Sequence, residues 1–192
     1  MKQEKEIESL FEILAKAQER GYIGEPISQL EHALQTAKLA TDSNATDELI
    51  LAALFHDIGH LCAPEGAPSM DTFGVDNHHG VGAEYLRNLG FSEVIASLII
   101  GHVDAKRYLV GKNPNYEAAL SPASQETLKR QGGAMSKTEM QAFEGHPLFQ
   151  DMLLLRSCDD RAKKVDWKVP TLESYRTVAD RHLARVEIKK TL

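Results

Sequence analysis

The chain predicts an all-α fold, and three observations carry that prediction. Apolar residues recur at three- and four-residue spacing through most of its 192 residues. Gly, Pro and small polar residues punctuate those runs where helices start and stop. No stretch alternates apolar and polar side chains as a half-buried strand does.

The elements follow in order. Ile7, Leu10, Phe11, Leu14 and Ala17 share one face of a first helix that stops at Gly21, and Tyr22-Ile23-Gly24-Glu25-Pro26 reads as a loop. A second helix runs from Ser28 to about Thr41, and a third from Asp47 to His60, with Thr46 or Asp47 as N-cap. Leu61 to Asn77, rich in Pro and Gly, reads as a long loop. Further helices fit Gly80 to Leu89, Ser92 to Ile100 and on through His102, Gln125 to Gln131, Lys137 to Phe143, and Leu148 to Lys164. The last, Thr171 to Lys189, starts after Pro170. Gly111 to Pro122 reads as irregular. No internal repeat or low-complexity tract interrupts the pattern.

This length predicts one domain with its own core. A net charge of −6 provides no basic stripe for nucleic acid, though a local basic pocket for one small anion is compatible with it. Cys62 and Cys158 form no CxxC pair and read as reduced thiols of a cytoplasmic protein. Met1-Lys2-Gln3-Glu4-Lys5-Glu6 has no apolar segment behind it to make a secretory signal, and no apolar run approaches the length of a membrane span. Oligomeric state leaves no mark in the sequence.

The third helix poses a burial problem. Leu49-Ile50-Leu51-Ala52-Ala53-Leu54 is bound for the core, yet it ends in Phe55-His56-Asp57-Ile58. An imidazole and a carboxylate are costly there unless something pairs with them, and a metal ion suits both. His56 and His60, four apart, are expected on one helix face with Asp57 beside them. His32, His78, His102 and Asp159 are candidate further ligands on other helices, the way bundles build metal sites. A lone histidine is more often structural; His146 and His182 fall outside the pattern and are assigned to the surface.

The ordered set His32, His56-Asp57, His78, His102, Asp159 resembles the HD-domain superfamily. A one-metal member needs only His32, His56, Asp57 and Asp159; two further histidines supply a second metal, with Asp57 as the bridge. Tyr22-Ile23-Gly24-Glu25, Gln29-Leu30-Glu31-His32, Leu54-Phe55-His56-Asp57-Ile58-Gly59-His60, Gly101-His102-Val103-Asp104-Ala105-Lys106 and Gln131-Gly132-Gly133 narrow the likeness. With these flanks the chain resembles the family of 2-amino-1-hydroxyethylphosphonate dioxygenases and their trimethylammonio counterparts, distant relatives of myo-inositol oxygenase.

The resemblance implies an HD-domain helical bundle holding two Fe ions in a mixed-valent Fe(II)/Fe(III) pair, with O2 as co-substrate. One iron would take His32, His56, Asp57 and Asp159, the other Asp57, His78 and His102. The substrate would be a small organophosphonate whose C–P bond is cleaved to phosphate and glycine, or to glycine betaine for the trimethylated form. Lys106 and Arg156 would bind the phosphonate, with His60, Ser124 and Thr127 completing the anion pocket and His60 and Lys106 counted with Asp57 in the catalytic set. Tyr22 would act as a lid and Glu25 would face the substrate's ammonium. Asp71, Phe73 and Asp76 are expected near a bulkier N-methylated cation. Two other readings share the ligand set: a metal-dependent phosphohydrolase acting on a nucleotide or other phosphomonoester, and a non-catalytic binding module of the same fold.

Overall fold

The computed structural model describes residues 2–22, 24–70 and 74–190. Among them the secondary structure is helical with no strand, and two isolated antiparallel bridges, Gly21–Ser28 and Ser69–Val75, close loops. The helices are α1 (Lys2–Lys16), α2 (Gln29–Asp42), α3 (Asp47–Phe55), α4 (Gly59–Cys62), α5 (His78–Asn88), α6 (Glu93–Lys112), α7 (Pro114–Ala119), α8 (Pro122–Arg130), α9 (Lys137–Glu144), α10 (Phe149–Arg161) and α11 (Leu172–Lys190).

α3 is the axis of the bundle. All seven residues from Leu49 to Phe55 are buried, so the helix is apolar around its whole circumference and must be enclosed. α2, α6, α10 and α11 enclose it, and α5 packs along α6. Local chemistry starts these helices where the sequence predicts. Ser28 and Glu31 form a reciprocal capping box at the head of α2, and the Thr46 hydroxyl accepts from Leu49 N at the head of α3.

Three features depart from the expected boundaries. The third helix does not run unbroken to His60: His56-Asp57-Ile58 forms a tight turn between α3 and α4, with Ile58 N donating to Phe55 O at 3.0 Å and His60 N to Asp57 O at 3.0 Å. Such three-residue closures tighten the backbone and rotate His60 off the face that carries His56. The segment expected to be irregular holds α7, because Pro114 occupies the first helical turn and the Asn113 side chain caps it. His182, assigned above to the surface, is buried: Tyr175, Ala179 and His182 share one face of α11, and the imidazole stacks on Phe91. That spacing was visible in the sequence; the histidine's polarity obscured it.

The break after Phe55 has a packing consequence at Gly59. A Cβ there would stand 1.9 Å from His78 O, so only glycine lets the start of α5 lie against α4. The contact delivers His78 to the end of α3. Asp71 and Phe73 fall outside the described residues, and Asp76 is exposed. Both cysteines are free thiols, as expected. No helix among the described residues is long and apolar enough to cross a membrane.

Candidate metal centre

α2 contributes His32, the turn after α3 contributes His56 and Asp57, α5 contributes His78, α6 contributes His102 and α10 contributes Asp159. All four histidines and Asp159 are buried, although they lie far apart in sequence. His32 Nε2 is 3.1 Å from His56 Nε2 and 3.3 Å from Asp159 Oδ1. His56 Nε2 is 3.3 Å from Asp57 Oδ2. On the other side of the same carboxylate, Asp57 Oδ1 lies 3.5 Å from His78 Nε2 and 3.9 Å from His102 Nε2, and those two nitrogens are 3.4 Å apart.

The outward faces of the rings determine what the inward faces can do. Nδ1 of His32 donates to Ala162 O at 2.8 Å, that of His56 to Ala53 O at 2.9 Å and that of His102 to Ile99 O at 2.5 Å. The Nδ1 of His78 lies 3.4 Å from Val75 O. A ring that gives its Nδ1 proton to a carbonyl presents an Nε2 lone pair inward, the orientation seen in metal-ligating histidines. Two such lone pairs 3.1 Å apart, with carboxylate oxygens beside them, repel unless a cation lies among them.

The electrostatics agree. Burial alone would raise Asp57, but the neighbouring imidazoles of His56 and His78 hold it well below the usual carboxylate range. Asp159, likewise opposed by burial, is held low by Arg156 and His32. Burial keeps His78 neutral and pushes His102 down to about 3. Burial also opposes a charge on His56, yet Asp57 and Asp159 raise it to about 9, which shows how strongly the surrounding carboxylates favour a positive charge at this position. The donors are nitrogen and oxygen only, a set that fits a divalent iron, manganese or zinc ion. His32, His56 and Asp57 form one group able to chelate such an ion, and Asp57, His60 and His78 form a second.

A cavity of about 60 Å³ opens beside Asp57, His78 and His102. Lys106 and Arg156 line it, as do Ser124 and Thr127 at the start of α8. Lys106 is buried and donates to Thr127 Oγ1 at 2.9 Å; burial and then the Arg156 charge lower its pKa to about 7. His60 stacks on His78, with ring centroids 4.1 Å apart, and its Nδ1 accepts from Val75 N at 3.0 Å. Gly74, at φ 86°, lies so close over that ring that a Cβ would meet His60 Nδ1 at 2.5 Å. Tyr22 also lines the cavity, stacked on His32 with ring centroids 3.9 Å apart.

One predicted site residue, Glu25, is placed differently. It does not line the cavity; its carboxylate pairs with Lys163 Nζ at 3.4 Å. Arg156 lines the cavity, but it is already bonded to Asp159 Oδ2 at 2.7 Å and to Asp160. Sequence reasoning missed Gln29 and Gln131, which also line the cavity. Their spacing could have found them: Gln29 lies one turn before His32, and Gln131 extends the helical face of Ser124 and Thr127.

The HD-domain family model matches residues 30–137. A hydroxymethylphosphonate dioxygenase of Gimesia maris is 42% identical over 174 residues, spanning 89% of this chain and 85% of that protein. A [1-hydroxy-2-(trimethylamino)ethyl]phosphonate dioxygenase (glycine-betaine-forming) of Leisingera caerulea is 37% identical over 164 residues, 85% of this chain and 83% of the relative. An uncharacterised protein of Acanthamoeba polyphaga mimivirus is 42% identical over 164 residues, 85% of this chain and 75% of its own length. The matched segment covers more than half of the chain and contains five of the six clustered ligand candidates; the chain belongs to the HD-domain family.

Proposed function

We propose that the protein is an O2-dependent di-iron oxygenase that cleaves the C–P bond of a small 1-hydroxyphosphonate. One observation carries the reading: the two oxygens of Asp57 face two separate pairs of inward-turned imidazole nitrogens. One ion would be held by His32, His56, Asp57 and Asp159, the other by Asp57, His78 and His102. Asp57, His78 and His102 line the cavity, so an ion held by them would stand next to a bound substrate. When bound, a mixed-valent iron pair supplies O2 activation and removal of the hydrogen on carbon 1.

The chain's own residues bind and orient the substrate. Lys106 and Arg156 neutralise the phosphonate, and Ser124 and Thr127 hydrogen-bond its oxygens. His60 Nδ1 is occupied as an acceptor, so its Nε2–H is left to donate to the anion. Tyr22, closing the wall over His32, keeps bulk water from the ligands. Glu25 is already neutralised by Lys163, so a substrate ammonium gains a carboxylate only by displacing that lysine. This favours the smallest substrate, hydroxymethylphosphonate, which with one O2 gives formate and phosphate. The two-carbon amines, giving glycine or glycine betaine, are expected to follow.

The similarity to two phosphonate dioxygenases supports the reaction class. The test is iron-reconstituted protein in air, supplied in parallel with hydroxymethyl-, 1-hydroxy-2-aminoethyl- and 1-hydroxy-2-(trimethylammonio)ethylphosphonate. O2 uptake should match phosphate release for at least one of them. Phosphate release from nucleotides under anaerobic conditions, with none from the three phosphonates, would instead make the protein a metal-dependent phosphohydrolase.

A further inference from the structure

Arg156 is buried at the wall of the cavity, and its guanidinium is bonded through all three nitrogens. Nε donates to Tyr116 Oη at 2.9 Å, Nη1 to Asp159 Oδ2 at 2.7 Å, and Nη2 to Asp160 Oδ1. Tyr116 Oη in turn donates to Asp160 Oδ2 at 2.6 Å, closing a ring of hydrogen bonds behind the guanidinium. A guanidinium has five N–H groups. One bond at each nitrogen uses Nε–H and one hydrogen on each Nη, and no bond among the described residues takes the other two.

The phenol is built to stay a donor, because burial raises its pKa and Asp160 stands beside it. Asp159 has one oxygen tied to Arg156 and the other 3.3 Å from His32 Nε2, so the same guanidinium that faces the cavity also sets the rotation of that carboxylate. Tyr116 itself comes from α7, which packs on α6 and contributes no proposed metal ligand or substrate contact.

We propose that Tyr116 and Asp160 form a clamp that orients Arg156, so that one guanidinium both fixes Asp159 and presents its two remaining N–H groups to the oxygens of the bound anion. Tyr116 and Asp160 are positioning residues; they act through Arg156 and touch neither substrate nor metal. The proposal rests on the anion-binding part of the function proposed above and is independent of the oxygen chemistry.

The experiment therefore uses inorganic phosphate, a ligand that undergoes no turnover, titrated calorimetrically into anaerobic iron-loaded protein. Tyr116→Phe removes one hydroxyl and is expected to weaken phosphate about fivefold; Asp160→Asn, which removes a charged partner, is expected to weaken it about tenfold. Phosphonate KM should rise with phosphate Kd while kcat changes less than twofold, a split that general destabilisation would not give. Iron content should stay at the wild-type value in Tyr116→Phe. A phosphate Kd within twofold of wild type in both variants overturns the clamp, as does a wild-type protein with no measurable affinity for phosphate. If Tyr116→Phe fails to fold, Asp160→Asn decides by the same reading. Failure of the oxygenase assay with the phosphate effect intact would leave the clamp standing and remove only the oxygen chemistry.

Discussion

The ligand side of the centre and the substrate side are built differently. His32, His56, His78 and His102 project from long or fully enclosed elements, and their outward nitrogens are turned to backbone carbonyls. Part of the wall around the cavity instead comes from the short helix α8 and the loop residue Tyr22, with the Glu25 turn and Lys163 packed beside them. It is held by side-chain bonds such as Lys106–Thr127, Lys163–Glu25 and Lys163–Ser121. Two of the carbonyls on the ligand side, Ala53 O and Ile99 O, lie inside α3 and α6 and cannot move without breaking the helix, whereas a side-chain bond can exchange partners. On the reading proposed above, the ligand side is expected to be the more rigid of the two and the substrate side the more adjustable.

The largest expected effects lie on the more rigid side. Asp57→Ala should abolish binding of both metals, because each set loses its carboxylate; metal analysis returning two ions per chain would break the bridging assignment. Gly59→Ala comes next. Its Cβ would overlap His78 O, so α5 must retreat, and the cost is about 1–3 kcal/mol of stability. The expected result is a lower melting temperature and loss of the His78–His102 ion ahead of the other; unchanged stoichiometry would show that this side also adjusts.

On the adjustable side, Lys106→Met should lower kcat/KM about 10²-fold while leaving metal content unchanged. The same lysine predicts a pH dependence. Burial and Arg156 depress it to about 7, so it carries its proton fully below that pH and loses it as pH rises through 7. An anion needs the protonated form. Sulfate, which does not titrate in this range, should therefore bind more weakly at pH 8 than at pH 6 and take up a proton at the higher pH. Calorimetry in buffers of different ionisation enthalpy measures that uptake, and its absence in Lys106→Met identifies the group.

The smallest effect is one of preference. Lys163→Met frees Glu25 and should shift kcat/KM several-fold toward the aminated phosphonate relative to hydroxymethylphosphonate. An unchanged ratio, with both activities intact, would mean that Glu25 has no part in reading the nitrogen end.

The fold class and the identity of the clustered residues were legible in the sequence. Helical spacing and capping residues located most helices, since both depend on neighbours within one or two turns. His56 and Asp57 could be picked out because ionisable groups in an apolar helix demand a reason, and His32, His78, His102 and Asp159 joined them through the ordered set that resembles the HD-domain pattern. His182 shows the limit of that reasoning: it is buried apart from the ligand cluster, accepting from Ser92 N at 3.2 Å against the face of Phe91. Composition alone does not distinguish the two kinds of buried histidine.

What the sequence by itself determined is therefore local: helices, caps, and a set of donors with the chemistry of a metal site. Only the tertiary structure decided that His60 turns to His78 rather than His56, that Glu25 pairs with Lys163, and that Arg156 is held by Tyr116 and Asp160. The physical reason is range. Helical periodicity is a property of the backbone over a few residues, whereas each of these pairings depends on side-chain directions that packing sets between segments distant in the chain.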